Sequence, residues 1–404
     1  MMGANEAQLA TELQEGAPRC SAAPAPPEPA LTPRLRKFLR TQTETPFLAI
    51  DLNVIWTKYR DLRAAFPGAA VFYAVKANPE KSVVALLSDL GSGFDVASPA
   101  ELDMCLSLGI PPVRLSYGNT IKKASDIAYA YRRGVRRFAF DSEAELRKLA
   151  LWAPGAEVAC RLQTTCQNAA WPLARKFGCD QEMAADLLVM SRDLGLHPIG
   201  VAFHVGSQQT DPTQWEHPLQ QTAAIFRQVA REGILLDSVN AGGGFPVPYR
   251  DGVPPISEFA EAIGHAMRQA FPGRQPSLLL EPGRSLVAEA GVLQAEVVLV
   301  SRKSPGAGKR WVYLDVGKFG GLAETLDECI QYPLHTARTG PLGPVVLAGP
   351  TCDSADILYE RTEYRLPLDL ECGDRITILN AGAYTSSYAS VGFNGFPPLK
   401  THCL

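Results

Sequence analysis

Between residues 70 and 281, short runs of apolar, β-branched and aromatic residues alternate with helix-length stretches whose apolar positions recur every three or four residues. AVFYAV is the first such run. After Asn78-Pro79, the residues Val83, Val84, Leu87 and Leu90 line one face of a predicted helix that Gly91 ends. SGFDVA follows as the next strand, and Ser98, Pro99 and Glu101 then supply an N-cap, a first-turn proline and a capping-box acid for a helix ending at Gly109. The cycle repeats through VRLSY, RRFAF, EVACRL, GVAFHV, LLDSVNA and SLLLE, with helical segments ending at Gly134, Gly195 and Gly233. Eight strand–helix units predict an α/β protein whose residues 45–281 form a (β/α)8 barrel of the TIM type.

The texture changes after Glu281. GVLQAEVVLVSRK, KRWVYLDVG, GPVVLAG and DRITILNAGAY are strand-like runs separated by Gly, Pro and Asp, predicting a second, mostly β domain over 282–404. FLAIDL precedes the barrel, and residues 33–50 could join either domain. Residues 1–32, with AAPAPPEPALTP among them, carry too little apolar surface to offset their ordering entropy and are expected to form a disordered tail.

A chain of 404 residues exceeds one ordinary core, and two domains agree with its length. Its net charge of −3, with both signs scattered, offers no electrostatic footprint for nucleic acid or an anionic membrane, so small molecules or copies of itself are the expected partners. The nine cysteines show no CxxC and no zinc-finger spacing, which predicts no metal site and a reducing compartment. With no long apolar span and no signal-peptide pattern, the expected location is the cytoplasm.

A barrel of this kind places its active site at the C-terminal strand ends. Those ends carry, in order, Lys76, Asp95, Gly118-Asn119, Asp141, Arg161, His204, Gly242-Gly243-Gly244 and Glu281-Pro282-Gly283-Arg284. Lys76 closes an apolar strand, where desolvation should lower its pKa and favour the free amine that Schiff-base chemistry needs. Alone, a lysine at a strand end is more often a solvated surface charge. The three glycines can bring backbone N–H groups to an anion or serve as a flexible turn. Glu281 and Arg284 can divide between a ring nitrogen and a phosphate, or pair with each other. His204 can stack on a flat ring or fill the core. Asp95 and Arg161 can serve the site or form a buried ion pair.

FYAVKAN, FDVASPAEL, FHVGSQ, GGGFP, EPGR, GPTCDSAD and AGAYTSSYASVGFNGF occur in that order, and together they resemble the barrel-fold, pyridoxal-phosphate-dependent basic amino-acid decarboxylases, the ornithine decarboxylase family. The likeness runs from about residue 45 to the C-terminus. It implies fold type III, the alanine-racemase-like pairing of barrel and β domain, with pyridoxal 5'-phosphate as cofactor. By the same resemblance Lys76 is the Schiff-base lysine, His204 the ring-stacking residue and Glu281 the acid on the pyridine nitrogen. Ser207, Gly244, Gly283, Arg284 and Tyr384 form the phosphate set, with Gly243, Asp95 and Arg161 also on the cofactor side. Cys352 is similar to the cysteine that reprotonates the reacting carbon, and Asp353 to the acid that binds the substrate's distal amine. In this family both enter from the other subunit of a homodimer.

The implied activity is decarboxylation of L-ornithine to putrescine and carbon dioxide, a step of polyamine biosynthesis. A second acid for the distal amine should come from KFGGLAETLDECIQY, where Glu328 is favoured over Asp327, with Glu324 also available. Competing expectations are lysine/ornithine or diaminopimelate decarboxylation, and a silent homologue of the antizyme-inhibitor kind. A racemase fits less well, because GPTCDSAD has no role in two-base proton transfer.

Overall fold

The computed structural model describes residues 31–165, 169–171 and 176–404. Most of the predicted tail, residues 1–30, lies outside them. The first described element is a helix, Pro33–Thr41, that the sequence pattern did not disclose. Thr32 caps it by accepting from the Leu35 N–H and donates its own hydroxyl to Asp51 at 2.7 Å. Only Leu35 of this helix is buried, so its apolar stripe is too thin to register as a period. Leu35 packs with Phe47, Ala49, Val292 and Leu379, against the second sheet.

Strand β1 (Phe47–Ile50) belongs to that sheet, lying between β12 (Gly291–Ser301) and β18 (Lys400–Cys403). The helix Leu52–Ala65, capped by the Asp51 carboxylate, then leads into the barrel. The barrel strands are β2 (Ala70–Ala74), β3 (Gly93–Val96), β4 (Leu115–Tyr117), β5 (Arg137–Phe140), β6 (Glu157–Arg161), β8 (His197–Ala202), β10 (Ser238–Asn240) and β11 (Ser277–Leu280). They close into one parallel ring, β11 returning to β2 through Leu279↔Ala70 and Leu280↔Val71. All eight are the strands read from the sequence. The capping signals around Ser98 also hold: its Oγ accepts from the Glu101 N–H, while the Glu101 carboxylate takes the Ala97 N–H at 2.7 Å. A short ribbon of β7 (Ala169–Trp171) and β9 (Ser207–Gln209) lies outside the ring.

The second sheet runs β14 (Leu334–Thr336), β17 (Arg375–Ile378), β12, β13 (Arg310–Leu314), β15 (Leu342–Ala348) and β16 (Ile357–Pro367). β12 serves two sets of partners. Its first half pairs with β1 and β17, and after a register shift between Val297 and Leu299 its second half pairs with β13. Because only the segment Glu281–Ala290 separates β11 from β12, the end of the barrel runs directly into the sheet, and the residues at that junction face both. Among the described residues no helix is long and apolar enough to cross a membrane.

Candidate active site

The C-terminal strand ends bring together Lys76, Asp95, Arg161, His204 and Glu281. Lys76 follows β2 in a short 3-10 turn, Val75–Ala77, whose other two residues are buried while the lysine side chain stays accessible in the cleft. Desolvation by its surroundings pushes its pKa down, but Asp95 first, then Tyr384 and Glu281, push harder the other way, and the amine is held above its usual value. The expectation of a lowered lysine pKa is therefore corrected. Desolvation is present, but how strongly Asp95, Tyr384 and Glu281 act on the amine depends on distances that the sequence does not give.

Asp95 is 6 % exposed, and its Oδ1 has no hydrogen-bond partner. Burial and the nearby Glu281 carboxylate raise its pKa to about 8, against the opposing pull of Lys76. A side chain at residue 118 would put its Cβ 2.0 Å from Asp95 Oδ1, so Gly118 is what lets the acid lie there. No ion pair joins Asp95 to Arg161 among the described residues; the Arg161 guanidinium lies 5.6 Å from the centre of the Phe177 ring.

His204 accepts the Gly206 N–H on Nδ1 at 2.9 Å, which places the ring proton on Nε2. Burial, reinforced by Arg161 and Lys76, depresses its pKa to about 3, so the imidazole is neutral at physiological pH. Asn240, at the end of β10, donates from Nδ2 to Glu281 Oε1 at 2.6 Å and accepts the Gly242 N–H on Oδ1. Sequence reasoning overlooked Asn240. The inward-facing position beside the glycine run was the available signal.

The glycine run forms a tight cradle. A Cβ at residue 243 would lie 2.2 Å from the Glu281 carbonyl oxygen, and one at residue 244, where φ is +99°, would lie 2.3 Å from that of Gly206. Facing it are Gly283, Arg284, Ser207 and Tyr384. Arg284 donates to Ser207 Oγ from Nε at 3.3 Å and from Nη2 at 3.1 Å, and its guanidinium sits 4.9 Å from the centre of the Tyr384 ring. A Cβ on Gly283 would approach Ala77 Cβ at 2.9 Å and the Tyr384 hydroxyl at 3.2 Å. Such a pocket, with backbone crowded against side-chain hydroxyls and a buried cation, fits a phosphate. The carboxyls below it fit a flat, protonated nitrogen ring.

Glu281 and Arg284 do not pair with each other. Arg284 instead makes a bidentate bridge to Glu324, at 2.6 and 2.7 Å, and donates to the Tyr249 hydroxyl at 2.9 Å. Glu328, the favoured substrate acid, is consumed elsewhere. Its Oε1 accepts the Glu360 and Arg361 N–H groups at 2.9 Å and its Oε2 the Thr362 N–H at 2.7 Å. Burial works to raise its pKa, and the Thr362 side chain together with these backbone bonds overcomes it, bringing the value to about 2. The hydrogen bonds of Glu328 thus go to β16, while Asp327 beside it is left exposed.

Cys352 and Asp353 stand on an exposed loop after β15. Its root is fixed by Asp356, which accepts the Thr351 hydroxyl at 2.8 Å and the Lys318 N–H at 2.8 Å. Asn394 Oδ1 accepts the Cys352 N–H at 3.2 Å and its thiol at 3.4 Å. Among the described residues no hydrogen bond or ion pair connects this loop to Lys76, Glu281 or the glycine cradle.

Residues 52–288 match the family model described as pyridoxal-dependent decarboxylase, pyridoxal binding domain. A lysine/ornithine decarboxylase from Selenomonas ruminantium is 36% identical over 361 residues, covering 89% of this chain and 90% of the relative. Antizyme inhibitor 2 from Xenopus laevis is 33% identical, with 91% of this chain and 83% of the relative covered. The crystal structure of a lysine/ornithine decarboxylase from Vibrio vulnificus complexed with putrescine superposes with a TM-score of 0.83 at 32% identity, covering 93% of this chain and 99% of that one.

Proposed function

Because the chain belongs to the pyridoxal-dependent decarboxylases of basic amino acids and takes pyridoxal 5'-phosphate as its cofactor, we propose that it decarboxylates L-ornithine to putrescine, as a cytoplasmic homodimer. The observation that carries the reading is the convergence of Lys76, Asp95 and Glu281 beneath a glycine cradle closed by Arg284. Pyridoxal phosphate supplies the electron sink that makes loss of carbon dioxide from an α-carbon possible.

The protein's own residues do the rest. Lys76 Nζ would hold the cofactor through its aldehyde carbon. Glu281, steadied through Oε1 by Asn240, holds the proton on the ring nitrogen with its other oxygen. Neutral His204 stacks on the ring without adding a competing charge. Ser207, Tyr384, Arg284 and the backbone at Gly243, Gly244 and Gly283 take the phosphate, while Asp95 and Arg161 set the charge around Lys76. Cys352 and Asp353 of each protomer enter the other protomer's site, which suits their exposure on a loop with a rigid root. Cys352 Sγ returns a proton to the reacting carbon, and Asp353 and Asp327 receive the distal ammonium.

Initial rates on L-ornithine, L-lysine, L-arginine and meso-diaminopimelate test the reading. Lysine differs from ornithine by one methylene, worth about 1–3 kcal/mol in a pocket, so ornithine should lead in kcat/KM by about tenfold or more. Lysine leading by that margin would overturn the substrate assignment. The similarity to an antizyme inhibitor favours a second reading, a catalytically silent binding protein. Retention of Lys76, Glu281, Arg284 and Cys352 argues against it, and the visible absorption of lysine-bound cofactor on adding pyridoxal phosphate separates the two.

A further inference from the structure

The buried bridge between Arg284 and Glu324 links two parts of the molecule that the proposed reaction uses separately. Arg284 lies at the barrel's last strand end, and its side chain is 3 % exposed. Glu324, 7 % exposed, lies beyond β13 in the turn Ala323–Glu328 of the second domain. Glu324 takes one N–H from each terminal nitrogen of the guanidinium, at 2.6 and 2.7 Å, while Tyr249 holds Nη1 as well. The Nε–Nη2 edge then points at Ser207, and a hydroxyl is readily exchanged for a phosphate oxygen.

The same turn carries Asp327, and it is anchored at both ends. Glu324 grips Arg284 at one end, and its carbonyl accepts the Ile330 N–H at 3.1 Å. Glu328 grips three N–H groups of β16 at the other. Between these anchors Leu326 is extended and Asp327 adopts φ +52°, so the exposed acid has little freedom of its own.

We infer that Glu324 is a positioning residue that orients Arg284 toward the cofactor phosphate and, through the same carboxylate, fixes the turn presenting Asp327 to the substrate's distal amine. The inference rests on the decarboxylase reading and deepens it. Glu324 touches neither cofactor nor substrate; it ties the hold on one to the position of the residue that reads the other.

The experiment is Glu324→Gln, which keeps the shape and removes the charge, together with Glu324→Asp, which keeps the charge and withdraws it by one methylene. Cofactor affinity is read from the absorption change on titrating the cofactor-free protein with pyridoxal phosphate, which needs no turnover. Glu324→Gln should weaken it by about tenfold, because a charge-assisted bidentate grip is lost. At saturating cofactor, KM for the basic amino acid should rise by about fivefold or more, with kcat changed by less than about threefold. Glu324→Asp should shift both quantities in the same direction and by less. Unaltered cofactor affinity, unaltered KM, or a fall in kcat at constant KM that tracks a lower melting temperature would each overturn the inference; the last is the signature of a residue that only stabilises the fold. If the wild-type protein gives the cofactor spectrum but no turnover on any basic amino acid, the decarboxylase reading fails, and the cofactor titration still decides the Arg284 half of this one.

Discussion

Replacing Asp95 by asparagine should stabilise the cofactor-free protein at neutral pH. Asp95 is almost wholly buried, one of its oxygens has no partner, and burial with the neighbouring Glu281 raises its pKa to about 8. An unfolded aspartate titrates near 3.9, so the folded value lies above the unfolded one. The favourable contribution of such a group is complete below pH ~4 and is lost as pH rises through 8. At pH 7 the gap spans about three pH units, which sets a ceiling of about 4 kcal/mol. The opposing pull of Lys76 is already contained in that value, and relaxation of the site on ionisation brings the realised cost below the ceiling. A net gain of about 1–3 kcal/mol for Asp95→Asn is the expected outcome. For a chain of this size that corresponds to a rise in Tm of about 2–5 °C, measured by calorimetry at equal protein concentration. The difference should grow from near zero at pH 4 to a plateau above pH 8. A difference that is constant with pH, or of opposite sign at pH 7, would refute the picture of a carboxyl whose ionisation is opposed by burial and by Glu281.

Capture of pyridoxal phosphate by the cofactor-free protein should accelerate as pH rises from 6 to 9, by up to about tenfold per unit, because Lys76 is held charged and only its neutral form attacks an aldehyde; stopped-flow absorbance would reveal a flat profile if it is not. His204, held neutral with a pKa of about 3, contributes stability that is complete above pH ~6.5 and lost as pH falls toward 3, so the wild type should lose up to about 3 kcal/mol by pH 4 that a His204→Gln variant does not lose. Asp327→Asn should raise KM for the basic amino acid by about tenfold with little change in Tm, whereas Glu328→Gln should cost about 1–3 kcal/mol of stability; the reverse pattern would restore Glu328 as the substrate acid. Cys352→Ala should still consume ornithine but yield less putrescine per substrate lost, by chromatographic quantitation, and an unchanged yield and rate would remove Cys352 from its role.

The barrel was legible because each of its strands is a short apolar run bounded by a capped helix, and parallel strands buried on both faces read as continuous hydrophobic segments. The second domain was less so. β16 was missed because its burial does not alternate: the exposed Glu360 and Arg361 interrupt the run where the strand shifts register against β15. β18 lies at the sheet edge with no fully buried residue, and the helix Pro33–Thr41 buries only Leu35. At the site, the groups carried on strand ends were visible because the barrel itself says where chemistry must lie. What stayed hidden were contacts between segments far apart in sequence: Asn240 with Glu281, Glu324 with Arg284, and Glu328 with the backbone of β16. Spacing along the chain favours Glu328 over Asp327 only slightly, and the tertiary fold is what ties Glu328 to the backbone of β16 and leaves Asp327 exposed.

The backbone carries a further mark that no pattern of residue types discloses. Non-glycine residues with positive φ are Gln208, Asp327, Glu328, Asn380, Tyr384 and Asn394 among the described residues. Each such position costs of order 1 kcal/mol or more for an ordinary side chain and persists only where its surroundings over-determine it. Gln208 follows Ser207 and is locked by two bonds to the Val247 backbone beside the glycine cradle. Asn380 is bound to the Pro248 carbonyl, Tyr384 donates its N–H to Ala77 next to Lys76, and Asn394 holds Cys352. Asp327 and Glu328 form the anchored turn. Had the strain been an accident of loop building, it would fall at any of the many turns on the far side of the barrel. Gln208 and Tyr384 lie beside the glycine cradle and Lys76, Asn394 holds Cys352, and Asp327 and Glu328 form the anchored turn, so these backbones fix side-chain positions around the proposed site.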